Sequence, residues 1–570
     1  MVNAAWDRVA FTCNDAAVDV EVAPAESLLS VLRERLGIVS AKDGCAPQGQ
    51  CGCCTVLVDG EPRVACVTPA ARVSGRRVTT VEGLDAQVRD ALAGGFVASG
   101  GSQCGFCTPG IVVRAAALHA RNRTARAHVD RALAAHLCRC TGWQTVYEAV
   151  EGARTAAPRE GAAQRASLEG GVAQHVGPDI PLGAGGFADD TAPRDALVAV
   201  PLPTGSDAES VEAAGARWVV ADSLWEARAV AQKVQGRRTT AELAWPLPLL
   251  DPVGGGVRLG TGWVEPAYLE PDASWCEPGG SPASVLANGG AFGGKETSLA
   301  PRAARELADT FDRVVRVVYS REDVVRLGPK RPPISARAHV DGSRVVIDGV
   351  VAGPDDAFMT AVDWPYAITE VRTWSRQDVL GPPTATHLRA AGLAERVVLL
   401  EGALAEAGVD RERLVRDDRA AGVLLDTCAR VESGALAGAR VEIDADGAVS
   451  HARVRVDAGD PLDDVVLRSY AIGATHMALG WVLTEGIAVE PENGEIHDLT
   501  IRSFGVIRAK DTPRIEVELV DDAGPPLAHA SDAVFAAVAA ATWNAVSAHA
   551  GDRPERFPAR DTLASRRLRR

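Results

Sequence analysis

The 570-residue sequence predicts an α+β multidomain chain: a small sheet-and-helix unit, then a helical unit, then a large mixed α/β region. Three observations carry this. Residues 7–24 alternate polar and apolar about an Asn14-Asp15 turn, the pattern of a β-hairpin. Residues from 82 to 152 keep a helical pattern. From about 181 the composition shifts to Val-rich alternating runs and Ala-rich helices.

The totals exclude several roles. The net charge of −15 disfavours nucleic acid and anionic membranes as partners. No apolar run approaches the roughly 18 residues that span a bilayer. Met1-Val-Asn-Ala-Ala-Trp-Asp-Arg8 lacks the basic and apolar regions of a signal peptide. Twelve cysteines are too few for a disulfide scaffold in a chain of this length. Their clustering points to metal binding in a reducing cytoplasm. Cys13, Cys276 and Cys428 stand apart and read as buried apolar residues.

After the hairpin, Leu28, Leu29, Leu32 and Leu36 recur at helical spacing, and Gly37 stands at the expected stop. Next comes Cys45-Ala-Pro-Gln-Gly-Gln-Cys51-Gly-Cys53-Cys54, with Cys66 after eleven intervening residues. Plant-type [2Fe–2S] proteins use a similar crowding, C-x4-C-x2-C and a distant fourth cysteine. Two bridged irons need four thiolates on one small cluster, and Gly44, Gly49 and Gly52 let the backbone wrap it closely. Zinc is the alternative, although zinc loops favour two C-x2-C pairs. Cys53 neighbours Cys54 directly and is expected to pack as a non-ligand. Thr55-Val-Leu-Val-Asp-Gly60 reads as a strand and turn leading to Cys66. Together these elements describe a β-grasp ferredoxin-like domain over residues 1–80.

Thr79-x-x-Glu82 has the form of a capping box opening a helix. The helical domain, 81–152, carries Cys104-x2-Cys107 and, after thirty intervening residues, Cys138-x-Cys140. Pro109-Gly110 and Thr141-Gly142 mark helix ends beside each pair, where backbone dipoles stabilise thiolate charge. A second [2Fe–2S] site is expected in this four-helix unit.

The order of these motifs, ending in "QCGFCTPG" and "LCRCTG", resembles the iron–sulfur region of the xanthine oxidase family of molybdenum hydroxylases over about residues 5–152. The resemblance implies that Cys45, Cys51, Cys54 and Cys66 hold one cluster and that Cys104, Cys107, Cys138 and Cys140 hold the other. It implies that the second cluster lies nearer a molybdopterin, that the first passes electrons toward a flavin, and that Gln103 lies beside the pterin. One residue more than the family spacing separates Cys45 from Cys51, which the loop is expected to absorb.

Residues 153–180, rich in Ala, Gly and charge, read as an interdomain linker. A molybdopterin-binding-like region is expected to follow in two parts, 181–420 and 421–570. Leu182–Asp190 and Asp195–Pro201 look like turn plus strand. Ala287-Asn-Gly-Gly-Ala-Phe-Gly-Gly-Lys295 is a glycine-rich turn ahead of a helix from Ala300 and a strand from Val314. It resembles the family's "GGGFGGK" segment, which implies that Gly289, Gly290, Phe292, Gly293 and Gly294 contact the pterin. Leu269-Glu-Pro271 resembles a short motif upstream of it. Further on, 453–459, 480–486 and 512–517 keep the family's order of strands and turns, and Ala533–Ala548 reads as a core helix.

Three departures bear on chemistry. The family's "FRGFG" loop is reduced to Leu388-Arg-Ala-Ala-Gly-Leu-Ala-Glu395, and the long stretch after it shrinks to about ten residues between Arg419 and Cys428. The family's basic glutamate, in a "GxGE-PP" turn, has no counterpart in Asp522-Ala-Gly-Pro-Pro526. Glu516 and Glu518 alternate with Val and read as a solvated strand face, so no catalytic residue is assigned. The expected function is a xanthine dehydrogenase-like iron–sulfur oxidoreductase. Its two clusters relay electrons from a molybdopterin-type site, its own or a partner's, toward a flavin or other acceptor. The alternative is an electron-transfer or scaffold subunit whose molybdenum-like region binds no cofactor. A flavoprotein or a molybdenum subunit is the expected partner, and an oligomer fits either reading.

Overall fold

A computed structural model describes the chain apart from residues 1–5, 153–156, 204, 233–241, 354–362, 386–387, 389–390, 498, 521–523 and 570. The first sheet contains β1 (Asp7–Cys13), β2 (Ala16–Val22), β3 (Thr55–Val58), β4 (Glu61–Val64) and β5 (Arg77–Thr79), in the order β2-β1-β5-β3-β4. The expected hairpin is β1–β2, turning through Asn14 and Asp15 at φ 49° and 65°. The leucine-rich helix starts as α1 (Leu28–Ser30), where the Ser27 side chain accepts from the Ser30 amide, and continues as a π-turn over Val31–Arg35. Leu28, Leu29 and Leu32 are buried with Val9, Phe11, Val56 and Val78 in one core.

Four helices follow: α2 (Ala86–Ser99), α3 (Thr108–His119), α4 (Arg126–Leu133) and α5 (Gln144–Glu151). The expected capping box at Thr79 does not form. Thr79 is the last residue of β5, paired with Leu57, and Thr80 donates to Glu82 in a short 3-10 turn. The cap of α2 is Asp85, whose carboxylate accepts from the Val88 amide.

The segment read as a linker carries a helix, α6 (Ala162–Gly170), whose Arg165 and Glu169 are buried as an i,i+4 ion pair at 2.9 Å. The Leu182–Asp190 stretch is also corrected. It forms the helical turn α7 (Ala188–Thr191), because Asp189 and Asp190 are drawn inward by Arg33 and Lys42. The expected strand is β6 (Leu197–Pro201). With β7 (Val211–Ala213), β8 (Ala216–Ala221), β10 (Ala273–Cys276) and β11 (Val315–Val318) it makes a sheet of order β10-β11-β6-β8-β7. β9 (Val257–Thr261) belongs to the next sheet. Helices α8 (Leu224–Ala231) and α9 (Ala300–Phe311) pack on this second sheet, and α10 (Arg321–Leu327) opens with a Ser320–Asp323 capping box.

The third sheet has the order β14 (Thr369–Gln377), β13 (Arg344–Ala352), β12 (Ile334–Asp341), β9, β19 (Arg556–Phe557). The fourth runs β15 (Thr427–Arg430), β16 (Leu436–Ile443), β17 (Val449–Asp457), β18 (Arg514–Leu519). In the largest core helix α15 (Ala530–Ala550) packs against β16, and α11 (Ala391–Glu406) and α13 (Asp464–Leu483) pack against α15. Two short helices, α12 (Asp418–Val423) and α14 (Ile501–Phe504), lie between these elements in sequence. Gly480–Leu483 is the last turn of α13 rather than a strand or turn, because residues 471–483 are buried all round. Of the Leu388–Glu395 stretch, Arg389 and Ala390 lie outside the described residues, and Ala391 onward is helix α11. Helix α15 is long and apolar enough to cross a bilayer, although no unbroken apolar run in the sequence marks it. Its small side chains let α11 and α13 approach, and two-thirds of its most apolar window is buried.

Candidate metal centres and the adjoining cavity

The first cysteine group closes around the loop after α1. Cys45, Cys51, Cys54 and Cys66 are all buried. The thiols of Cys51 and Cys66 donate to the Cys45 sulfur and hold its pKa well below that of a free thiol. The amides of Gln48 and Gln50 point at the same sulfur at 3.2 and 3.5 Å, and the Cys66 amide points at the Cys54 sulfur at 3.4 Å. This is the backbone cradle that a thiolate cluster requires. Gly49 and Gly52 turn the loop at φ 68° and 74°. Cys53 is fully buried with its sulfur toward the Cys51 carbonyl.

The second group forms two pairs. The sulfurs of Cys104 and Cys140 lie 3.6 Å apart, and the Cys107 thiol donates to Cys138. That contact, with Thr141 Oγ1 at 3.0 Å, holds the Cys138 pKa down to about 6. Cys107 is the N-cap of α3, and Pro109 follows in its first turn. Between the ligand candidates Cys138 and Cys140, Arg139 turns inward. Its guanidinium pairs in two-pronged fashion with Glu485 and donates to the Pro266 carbonyl at 3.0 Å.

The two groups lie back to back. The Leu137 amide donates to the Cys51 carbonyl at 2.9 Å. Gly110 of α3 lies so close to the Gly52 and Cys53 carbonyls that an added Cβ would overlap the first and stand 2.9 Å from the second. Among the described residues, no three His, Cys, Asp or Glu side chains converge on a point that would hold a single ion. The paired sulfurs of the second group suit a dinuclear cluster better than one tetrahedral zinc.

A cavity of about 260 Å³ opens beside the second group. Gln103, Cys140, Gly289, Gly290, Phe292 and Gly293 line it. A Cβ on Gly290 would stand 3.3 Å from the Cys140 sulfur and 3.5 Å from that of Cys104, so the glycine-rich turn rests directly on the cysteine pair. Gly289, Gly290, Phe292 and Gly293 all have φ between 51° and 84°. Gln103 spans the junction, donating to the Cys140 carbonyl at 3.1 Å and to Ser469 Oγ at 2.9 Å. Gly294 does not reach the cavity: it packs against Pro266 and Tyr268. Lys295 also turns away, into a buried pair with Glu270 at 2.8 Å.

Sequence reasoning missed Glu169, His529, Ser531 and Asp532, which line the same cavity. Glu169 lies in the supposed linker and gave no signal. Ser531-Asp532 at the head of an apolar run could have been read as a helix start. Glu516 and Glu518 sit on β18, paired with His451, Arg453 and Arg455, and neither lines the cavity. Asp522 lies outside the described residues.

Residues 80–151 match the family model of a [2Fe-2S] binding domain. The xanthine dehydrogenase iron-sulfur-binding subunit of Escherichia coli O157:H7 is 37% identical over 149 residues, which is 24% of this chain and 89% of that subunit. The chain belongs to the xanthine dehydrogenase family. The aldehyde oxidoreductase of Megalodesulfovibrio gigas is 44% identical over 132 residues, 22% of this chain but only 14% of that longer protein. Within the family the iron–sulfur region thus occurs both as a subunit and as part of a larger chain. The solved aldehyde oxidoreductase of Desulfovibrio gigas superposes with a TM-score of 0.75, covering 99% of this chain and 100% of the other at 15% identity. The family fold therefore extends through the whole chain, well beyond the iron–sulfur region.

Proposed function

We propose that this chain is a two-cluster electron relay. Cys45, Cys51, Cys54 and Cys66 would hold one [2Fe–2S] cluster, and Cys104, Cys107, Cys138 and Cys140 the other. A [2Fe–2S] cluster supplies one-electron exchange when bound. The residues around it do the rest: seven of the eight cysteines are buried away from water, and the loop amides of Gln48, Gln50 and Cys66 face the sulfurs. One observation carries the reading. The cysteine groups abut through the Leu137–Cys51 hydrogen bond, and the second also borders the cavity, which makes a continuous path from cavity to outer cluster. The far end would meet a flavoprotein or a molybdenum subunit. All twelve cysteines are free, in keeping with a reducing, cytoplasmic location.

A second reading, an oxidoreductase carrying its own molybdopterin, draws on the joint lining of the cavity by Gln103, Gly289, Gly290, Phe292 and Gly293. Metal content separates the two. In protein from a host that makes molybdopterin, about four irons per chain and no molybdenum are expected. About four irons with about one molybdenum would establish the second reading instead. A colourless, iron-free protein prepared anaerobically would overturn both.

A further inference from the structure

We propose that His136, carried by the segment of the second cysteine group, tunes the first: its buried imidazole supplies an N–H dipole to the cluster held by Cys45, Cys51, Cys54 and Cys66, a role that rests on the relay reading and sets the driving force between the two centres.

His136 stands two residues before Cys138, yet its side chain packs on the other loop. Its amide donates to the Leu133 carbonyl at 2.9 Å, closing the turn after α4. The next amide, that of Leu137, donates to the Cys51 carbonyl at 2.9 Å. These two bonds fix the backbone and lay the imidazole on Gly52, between Cys51 and Cys53. A Cβ added at Gly52 would stand 2.5 Å from Nδ1 of the ring, 2.7 Å from Cγ and 2.9 Å from Cε1. The loop cannot retreat from the ring. The Gly52 carbonyl accepts from the Thr55 amide at 3.1 Å and from Thr55 Oγ1 at 2.7 Å, and the Cys53 carbonyl accepts from the Lys42 amide at 3.3 Å.

The ring is 3% exposed, and its Nδ1 is buried with no hydrogen-bond partner among the described residues. A buried polar atom is rarely left unpaired. The cation nearest in the fold is engaged elsewhere: Arg114 donates from Nε to the Ala132 carbonyl at 3.0 Å. The partner left open to the ring is the charge that the first group carries when loaded. The second group has a hydroxyl of its own for the same purpose, Thr141 Oγ1 at 3.0 Å from the Cys138 sulfur.

A neutral imidazole carries one N–H and one lone pair. An N–H directed at a centre that gains negative charge on reduction favours the reduced state and raises its potential. The first centre thereby becomes the better electron acceptor of the two, which gives the relay its direction away from the cavity.

Redox titration of the full, cluster-loaded chain, followed by EPR, tests this. The first group's signal is the one that survives in Cys138→Ser. His136→Phe keeps a flat ring over Gly52 and removes the N–H. Its first-group potential is expected to fall enough to move electron sharing roughly tenfold toward the second group, about 59 mV for a one-electron couple, with iron content unchanged. His136→Asn restores a short donor and should recover part of that shift. A further measurement needs no variant: in wild-type protein labelled with heavy nitrogen at histidine alone, pulsed EPR should show a nitrogen coupling on the first group's signal. An unchanged first-group potential in His136→Phe, an equal shift of both centres, or no histidine coupling on that signal would overturn the proposal. Any of these with both signals intact removes this inference alone, whereas missing signals remove the relay reading.

Discussion

The Leu137 amide donates to the Cys51 carbonyl over 2.9 Å, so a backbone hydrogen bond joins the two cysteine loops. Leu137 is bonded directly to Cys138, and the Cys51 carbonyl belongs to a residue of the first group. Each group therefore has its own sulfurs but shares a wall with the other. Removing one ligand from one group should leave the other group able to assemble. Cys138→Ser is expected to abolish one of two reduced-state EPR signals and to lower iron from about four to about two per chain. Loss of neither signal would count against the second centre, and loss of both would show that the two assemble as one unit.

Cys53 provides the matching control. Its sulfur is buried between the two groups and faces the Cys51 carbonyl. Cys53→Ala is expected to keep iron content and both signals, because the side chain fills space and donates nothing the loop depends on. A drop to half the iron would make Cys53 a ligand and displace its neighbour Cys54.

Gly110 shows how closely the two loops fit. Inside an exposed helix, Gly→Ala stabilises by roughly 0.5–1 kcal/mol. At this site the new methyl would overlap the Gly52 carbonyl, which is backbone and has little room to move. Gly110→Ala is therefore expected to destabilise by about 1–3 kcal/mol, the cost of overpacking. A denaturant midpoint shifted downward checks the sign.

Arg139 and Glu485 are both almost completely buried, at 1% side-chain exposure each. Glu485→Gln leaves a buried guanidinium with its partner's negative charge gone and one acceptor oxygen where there were two. The expected cost is about 3–5 kcal/mol. Because Arg139 stands between Cys138 and Cys140, the variant should also lose iron from the second group first, read from the ratio of the two EPR signals.

The Asp532 carboxyl is raised from its ordinary 3.8 to about 6 by burial, with Glu169 adding to the shift and His529 opposing it. The charged groups facing it are these two and the Arg165 partner of Glu169. A raised carboxyl favours the folded state while protonated. Its contribution is fully present below 3.8 and is lost as pH rises through about 6. Wild type should therefore lose stability relative to Asp532→Asn across that window and run parallel to it above about pH 7. Thermal midpoints of both proteins from pH 4 to 8 decide it.

The two cysteine groups were legible because their signals are local. Cysteine spacing, turn glycines and the leucine stripe of 28–36 specify structure within short stretches, and they appear where expected. The cavity was half legible. Gln103 and the turn from Gly289 to Gly293 could be picked out by motif, whereas Glu169, His529 and Asp532 reach it from segments far apart in sequence. No spacing rule links residues 169, 290 and 532. The misreadings share a cause in tertiary pairing. Thr79 went to a strand because Leu57 pairs with it, and Asp189 and Asp190 bent their segment toward Arg33 and Lys42. Helix α15 hid its length behind scattered Ser, Asp, Thr and Asn residues, which a search for unbroken apolar runs passes over.

The burial of the cysteines imposes an order on biogenesis. The first loop is covered from the far end of the chain: Gln48 and Gln50 bond to Leu499, Ile501 and Arg502. The second lies under Gly290. Iron and sulfide must therefore arrive while the first 150 or so residues stand exposed, before the later three-quarters of the sequence docks on them. A chain that closes unfilled is sealed in that state until it opens again.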